Sequence, residues 1–337
     1  MADLAVPAVL EPEQAGQHYA DALQTAVAAC AADTAGQTCF ICMDGSDEEG
    51  LVRGCACRGG SSFAHVSCLA EQAKILFAEA KENNLGENAV IERWARWYTC
   101  GLCKQEYHGV VRCALGWACW KTYVGPGRAR CSDLISAMRL LGLGLMEAKR
   151  HDEALSVTEA ELAILRRIGA PEDQMLMVQS NLAMTYKQIG RLEEALNLYR
   201  DVYSGELKLY GAEHSETLAS AVNYATSLVD LQRVKEAKSL LRRTVPALRR
   251  VLGESHNKTL RTRWLYAMAL YEDGSATLDD LRDAVTTLEE IEPAARSLLG
   301  DAHPSTASIK ESLRDARAAL RARETPSPAH GGYCLIS

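Results

Sequence analysis

The feature that most constrains this chain is a series of seven cysteines and one histidine, arranged as four close pairs in its first third. The pairs are Cys39-x2-Cys42, Cys55-x-Cys57, His65-x2-Cys68 and Cys100-x2-Cys103. A structural zinc ion takes four tetrahedral ligands from Cys sulfur and His nitrogen atoms. Eight ligands in four pairs complete two such sites with none left over, so the sequence predicts two Zn²⁺ ions per chain.

The composition around these pairs also favours metal binding. Between residues 39 and 68 the ligands are separated by five glycines: Gly45, Gly50, Gly54, Gly59 and Gly60. Such a stretch has few apolar residues for a core, so metal must hold it together. Of the 12 cysteines, 8 lie between Cys30 and Cys103, and no basic start followed by an apolar run marks a secretory leader. We therefore expect a cytoplasmic metal-binding protein rather than a disulfide framework.

Length and charge narrow the class of protein further. A chain of 337 residues is expected to form two or three domains. Its 44 Asp and Glu residues outnumber 37 Lys and Arg residues, which argues against nucleic acid as a general partner while leaving room for a local basic patch. The best apolar run, 140–146, is far shorter than the roughly 18 to 20 residues that a membrane-spanning helix needs.

Beyond residue 131 the sequence repeats itself. Gly169, Gly211 and Gly253 are 42 residues apart. His214 and His256 are also 42 residues apart, and His303 follows after 47. The spacings between Ala154, Ala195 and Ala237 agree with the 42-residue period to within one residue. A period of 20 to 50 residues indicates stacked structural repeats. For the histidines, one per repeat at the same turn, we expect a helix-entry or packing role rather than metal ligation.

Each repeat is predicted to be a pair of antiparallel helices. The second gives Met175–Ile189 and Leu192–Tyr210, separated by a turn at Gly190 and Arg191, with apolar residues at i+3 and i+4 spacing. The fold class is therefore mostly α: a small two-zinc domain, then four helix pairs and a closing helix at 304–323. The predicted divisions are a helical segment (1–35), the zinc domain (36–108), a connecting segment (109–131), the repeats (132–323) and a flexible tail (324–337).

The zinc segment, with its strings CFIC, GCACRGGSSFAHVSCL and WYTCGLCKQEY, resembles the RING-CH (RING-variant) family. The single residue between Cys55 and Cys57 and the seven between Cys57 and His65 favour this family over the PHD finger, a histone-tail reader. The resemblance implies a cross-brace, in which one zinc is held by Cys39, Cys42, His65 and Cys68 and the other by Cys55, Cys57, Cys100 and Cys103. Spacing alone leaves sequential pairing open.

What the RING-CH resemblance implies about function is a docking platform for a ubiquitin-conjugating enzyme. The platform would use Ile41 and nearby residues of the 69–75 helix, and Lys104 matches the position of a cation that contacts ubiquitin. Two features depart from the family: Gln72 replaces a common Trp, and 31 residues separate Cys68 from Cys100. Trp94 or Trp97 is the candidate to supply the missing aromatic side chain.

The repeats resemble tetratricopeptide repeats of the kinesin-light-chain type, through the turns LYGAEHSETL and VLGESHNKTL. That resemblance implies a groove for a protein or peptide partner. Arg150, Arg191 and Arg233 recur at the turn inside each repeat, either near such a groove or as solvated turn residues. Three further cysteines, Cys113, Cys119 and Cys131, lack paired spacing, so we expect buried thiols rather than a third metal site.

The last four residues, Cys334-Leu-Ile-Ser, form a C-a-a-X ending. It predicts farnesylation of Cys334 and contact with a membrane surface, although one prenyl chain anchors weakly.

Together these patterns predict a RING-CH-type ubiquitin-protein ligase that contributes no nucleophile of its own. The alternative is a non-enzymatic zinc-binding scaffold in which the repeats carry the function.

Overall fold

The computed structural model describes residues 10–45, 49–57, 63–124, 131–301 and 303–325, and this part of the chain is mostly α-helical. Its helices are α1 (Pro12–Thr34), α2 (Val66–Glu82), α3 (Glu87–Trp94), α4 (Gly109–Tyr123), α5 (Cys131–Glu147), α6 (His151–Arg167), α7 (Glu172–Gln188), α8 (Leu192–Tyr210), α9 (Ser215–Asp230), α10 (Val234–Leu252), α11 (Asn257–Tyr271), α12 (Leu278–Leu299) and α13 (Pro304–Glu324). The mostly α fold class is confirmed.

The helices form two compact units, Met1–Arg191 and Leu192–Ser337, which are described separately. The first unit holds α1 to α7 and the second α8 to α13. Among the described residues, no helix is both long enough and apolar enough to cross a lipid bilayer.

Helix α4 lies at the centre of the first unit. Every residue from 111 to 120 is buried, including Trp117 and Trp120. A helix that is apolar on all sides must be covered on all sides, and α4 packs against α1, α2 and α5. The segment 109–131, which we predicted to connect two domains, therefore contains a core helix. The sequence did not show this because its periodicity does not reveal how many neighbours cover a helix.

Two glycines allow α4 and α5 to approach closely. A Cβ atom on Gly144 would lie 2.9 Å from the carbonyl oxygen of Arg112, and one on Gly116 would lie 3.1 Å from the Cα of Leu141. A side chain at Gly144 would overlap the backbone of α4, and one at Gly116 would require the backbone of α5 to move by a few tenths of an ångström. The axial separation of α4 and α5 therefore depends on these two positions.

Helix α1 packs against α4 and also contacts the zinc module, residues 39–103. The backbone N–H of Arg53 donates to the buried Sγ of Cys30 at 3.4 Å. Gly50, at φ +84°, lies so close to Val27 that a Cβ atom there would clash with it. The N-terminal helix is thus built into the zinc module rather than merely leading to it.

The long stretch between Cys68 and Cys100 is folded onto the rest of the unit. The helix that we expected at 69–75 is part of α2, which begins earlier, at Val66, so its first turn carries Cys68. Beyond α2, Trp94 and Trp97 form an aromatic cluster with Phe77 of α2 and Tyr123 of α4, with ring centroids 4.7 to 6.4 Å apart. The insertion therefore ties the zinc module to α4.

In the second unit, the histidines His214, His256 and His303 precede α9, α11 and α13. Each Nδ1 accepts a hydrogen bond from the backbone N–H two residues later, at 3.1 to 3.3 Å. Such a bond satisfies one of the free donors at a helix start. The predicted helix-entry role of the repeated histidines is confirmed.

The turns inside the repeats share one backbone hydrogen bond. Arg150, Arg191 and Arg233 each donate their backbone N–H to a carbonyl five residues earlier, at 2.8 to 2.9 Å. The side chains of Arg150 and Arg233 pair with Glu153 and Glu236. The guanidinium of Arg191 lies 4.2 Å from the centroid of the Tyr186 ring.

Candidate metal centre

Eight side chains of the zinc module meet in two groups of four. In the first group the ligand atoms of Cys39, Cys42, His65 and Cys68 lie within 4.8 Å of one another, and in the second those of Cys55, Cys57, Cys100 and Cys103 do so. This is the interleaved grouping that the RING-CH resemblance implied, in which the first and third pairs meet and the second and fourth pairs meet. Sequential pairing does not describe this structure.

The first Cys-x2-Cys pair lies in a tight loop that aims both thiols at one point. The backbone N–H of Met43 donates to the carbonyl of Cys39 at 2.9 Å, and that of Cys39 donates to Asp44 at 2.8 Å. Met43 takes a left-handed conformation, with φ +68°, to close the loop. The backbone nitrogen of Ile41 also donates, and it lies 3.4 Å from the Sγ of Cys39. Such N–H donors stabilise a thiolate.

The fourth ligand pair repeats this geometry. The backbone N–H of Lys104 donates to the carbonyl of Cys100 at 3.1 Å, and that of Cys100 donates to Gln105 at 2.9 Å. Lys104 is left-handed at φ +60°, as Met43 is, and the N–H of Leu102 lies 3.4 Å from the Sγ of Cys100. One backbone solution thus serves both metal sites, and we call each of these loops a knuckle.

His65 stands immediately before α2 and is held in one orientation. Its Nε2 lies 2.8 Å from the carbonyl oxygen of Gly45, which can only accept a hydrogen bond, so Nε2 carries the proton. The lone pair of Nδ1 is then free for metal, the arrangement usual for a zinc-bound imidazole. Nδ1 lies 3.4 Å from the Sγ of Cys42 and 3.7 Å from that of Cys68.

The distances between donor atoms fit zinc. Tetrahedral Zn–S bonds of about 2.3 Å and Zn–N bonds of about 2.0 Å separate neighbouring donors by roughly 3.6 to 3.8 Å. The Sγ atoms of Cys57 and Cys100 are 3.6 Å apart, and the two distances from His65 bracket the sulfur–nitrogen value. An all-Cys set and a Cys3His set are typical of structural zinc.

The thiols could not all ionise without a cation between them. Burial acts to raise the pKa of Cys39, but backbone N–H donors, that of Cys42 foremost, lower it to about 7. The backbone N–H of Gln105 likewise lowers the pKa of Cys103 to about 7. In contrast, burial raises the pKa of Cys68 to about 12 and that of Cys55 still further. A divalent ion removes this conflict, because it binds all the thiolates at once.

The two residues predicted to contact partners lie on the knuckles. Ile41 is half-buried, and Lys104 is exposed directly after the last ligand. The structure adds Leu102, which is 54% exposed and occupies in the second knuckle the position that Ile41 has in the first. The sequence contains this correspondence, since each residue directly precedes the second Cys of its pair. Gln72, the departure from the family pattern, is half-buried on α2.

The remaining cysteines do not assemble into a third site within the described residues. Cys113 and Cys119 are buried in α4, as predicted, and burial raises the pKa of Cys113 to about 11. Cys131 differs from the prediction: it is exposed, because it is the first residue of α5. Cys334 lies outside the described residues.

Comparison with known proteins agrees with this architecture. Residues 39–84 match the RING-variant domain, and residues 133–205 and 217–257 match the tetratricopeptide repeat. A search of curated proteins finds no match.

Similar solved structures include the nearly identical kinesin light chain TPR-like repeats of Podosopora anserina and their Q17M form. Both are 25% identical to this chain, cover 56% of it and 88% and 87% of their own lengths, and have TM-scores of 0.48 and 0.49. BtubC (BKLC) from P. vanneervenii is 14% identical, covers 81% of this chain and 98% of its own, and has a TM-score of 0.45. The predicted resemblance is confirmed: the chain carries a RING-variant domain followed by tetratricopeptide repeats.

Proposed function

We propose that this chain is a RING-variant-type ubiquitin-protein ligase, in which the zinc module recruits a ubiquitin-conjugating enzyme and the repeats bind a substrate or an assembly partner. One observation carries the proposal. Each of the two matching knuckles presents an aliphatic side chain, Ile41 or Leu102, beside a four-donor cluster. Side chains on a metal-braced loop lose little entropy when a partner binds, because the loop is already ordered.

The zinc ions, when bound, supply cross-links and no reaction chemistry, because protein ligands occupy all four positions of each ion. The chain would therefore act by positioning. A conjugating enzyme carries ubiquitin as a thioester, and holding that thioester against a substrate lysine makes acyl transfer effectively intramolecular. The nucleophile and the leaving thiol both belong to the other proteins. The repeats would contribute by keeping the substrate close, which raises its effective concentration.

A scaffold without ligase activity is the competing function, and one observation favours it. Gln72, at the place where the family often has Trp, is half-buried on α2 and offers a conjugating enzyme less apolar surface. On this alternative the zinc module would only stabilise the fold or bind protein, and the repeats would carry the function.

Reconstituted ubiquitination separates the two. We expect zinc-dependent chain formation with at least one member of a panel of conjugating enzymes, reduced about tenfold or more by Ile41→Ala and by Leu102→Ala. Ile168→Ala is the matched control, since Ile168 is 51% exposed but lies after α6, outside the zinc module. If no enzyme of the panel supports zinc-dependent chains, the scaffold is correct.

Membrane contact stays a proposal that rests on the C-a-a-X ending, and cytoplasmic location stays one that rests on the crowded cysteines. A Cys334→Ser variant is expected to move from the membrane to the soluble fraction of cells. An unchanged distribution would remove the proposed anchor and leave the ligase proposal intact.

A further inference from the structure

The solvent-facing side of α10 carries a dense row of cations. Six of its residues are basic and one is acidic: Lys235, Lys238, Arg242, Arg243, Arg249 and Arg250 against Glu236. Their spacings of three, four and seven residues place the six on one face. The apolar residues, such as Leu241 and Leu248, are buried on the opposite face. We call the six cations the α10 basic face.

This charge is particular to α10. The corresponding second helices of the other pairs, α6, α8 and α12, each contain more acidic than basic residues. The basic face is thus no general property of the repeats, and it stands out in a chain that is acidic as a whole.

Only half of these cations are neutralised by neighbouring carboxylates. Lys238 pairs with Asp280 at 2.7 Å, Arg249 with Glu254 and Arg250 with Glu213. The other three, Lys235, Arg242 and Arg243, are exposed, and each forms no ion pair with a described residue. The unpaired charge is therefore concentrated along the middle and the start of the helix.

Arg249 and Arg250 suit the last turn of α10, where the helix dipole favours cations, but the unpaired cations do not help the helix to fold. Lys238 and Arg242 are like charges four residues apart, a spacing that destabilises a helix. Lys235 lies in the first turn, where the helix dipole disfavours a cation. Residues that oppose the stability of their own helix indicate a purpose outside the fold.

We propose that the α10 basic face binds an acidic, extended segment of a partner protein. From Lys235 to Arg250 the face is about 22 Å long at 1.5 Å per residue, the span of roughly seven residues of extended peptide. The face is one helix wide. Two carboxylates of α12 lie near it: Asp280 pairs with Lys238, and Asp283 acts on Tyr266 together with Arg242 of the face. They would repel a flat anionic membrane or a nucleic acid duplex but leave a single peptide strand room.

This inference is independent of ligase activity, and direct binding tests it. The probe is a fluorescein-labelled peptide of ten glutamates, titrated with full-length zinc-loaded protein and followed by fluorescence anisotropy at 50 and 200 mM salt. We expect saturable binding that weakens as salt rises. The double variant Arg242→Glu/Arg243→Glu should bind at least tenfold more weakly, and Arg242→Gln/Arg243→Gln should fall between it and the wild type.

The matched control is Arg314→Glu/Arg321→Glu on α13, which changes the net charge equally at two exposed arginines outside α10. It should change the affinity less than twofold. Circular dichroism should show native helicity for every variant, since removing like charges from α10 costs the fold nothing. The proposal would be overturned if the α10 and α13 charge-reversal variants weakened peptide binding equally, or if no saturable binding occurred at 50 mM salt. Tighter α10-dependent binding of a DNA duplex or of phosphatidylserine vesicles would also overturn it.

Discussion

Arg112 of α4 donates through Nη1 to Oε1 of Glu147 on α5 at 2.6 Å. The same nitrogen lies 2.7 Å from Glu106, which closely follows the last metal ligand. The second oxygen of Glu147 accepts the backbone N–H of Gly109 at 2.8 Å and so satisfies a free donor at the start of α4. These contacts link the second knuckle, the core helix and the first repeat helix.

Replacing Arg112 tests this link. The Arg112 side chain is nearly buried, and Glu147 is one-third exposed. We expect Arg112→Met to lower the free energy of unfolding by about 2 kcal/mol, because a hydrogen bond to a charged group contributes about 1.5 to 3 kcal/mol. Arg200→Met, at an exposed pair with Asp201, should cost under about 0.5 kcal/mol. Urea unfolding followed by tryptophan fluorescence measures both, and equal losses would contradict the link.

Metal content tests the two clusters. Elemental analysis of the purified protein should return two zinc ions per chain, and one ion after either His65→Ala or Cys55→Ala. Chelation should unfold the zinc module while the helical signal of the second unit persists, because stacked repeats are stabilised by their neighbours. A single zinc ion in the wild type, or loss of most helicity on chelation, would refute this arrangement.

The close approach of α4 and α5 predicts opposite effects of alanine at two glycines. Gly144→Ala should destabilise the first unit by about 1 to 3 kcal/mol, the usual cost of overpacking, because the new methyl group meets the backbone of Arg112. Gly16→Ala on the exposed side of α1 meets nothing within 4 Å and should stabilise by about 0.5 to 1 kcal/mol. Denaturant midpoints measure both, and a neutral Gly144→Ala would show that the helices can separate freely.

Glu161 of α6 predicts a pH dependence. Burial raises its pKa to about 7, although its Oε1 lies 2.9 Å from the Nε of Arg139. A carboxyl group with a raised pKa in the folded protein stabilises fully below its unfolded pKa of about 4.3. That contribution is lost as the pH rises through about 7.

Glu161→Gln keeps the side chain neutral and removes this loss. Relative to the wild type, the variant should gain on the order of 2 to 3 kcal/mol of stability between pH 5 and pH 8. Urea unfolding at each pH measures the difference. The exposed Glu159→Gln should show no such trend, and a flat difference for Glu161→Gln would mean that Arg139 keeps the carboxylate ionised.

The sequence predicted what depends on local spacing. The four ligand pairs, the 42-residue period and the histidines at helix starts are each visible within a few residues, because a knuckle, a turn and a cap are local structures. The predicted helix Leu192–Tyr210 has the bounds of α8. The grouping of ligands required the family resemblance, since both pairings have the same spacing.

What the sequence did not predict depends on distant packing. The place of α4 follows from contacts with α1, α2 and α5, none of which has a periodic signature. Nothing in the sequence singles out Gly144 and Gly116, and only the position of the neighbouring backbone shows why they are glycines. Leu102 was missed although it precedes the second Cys of its pair as Ile41 does, because the family resemblance pointed to the first pair alone.

The position of α4 limits how the molecule can be cut. Gly54 of the zinc module is so close to Val111 that a Cβ atom would lie 2.6 Å from Cγ1 of that valine, and a Cβ atom on Gly144 of α5 would lie 2.9 Å from the carbonyl oxygen of Arg112. A fragment ending near residue 108 would lose the helix that supports its metal sites, and one beginning near residue 132 would expose the bare apolar side of α5. The zinc module cannot be exchanged as an independent unit, so chimaeras with other proteins should place their junction after the first helical repeat.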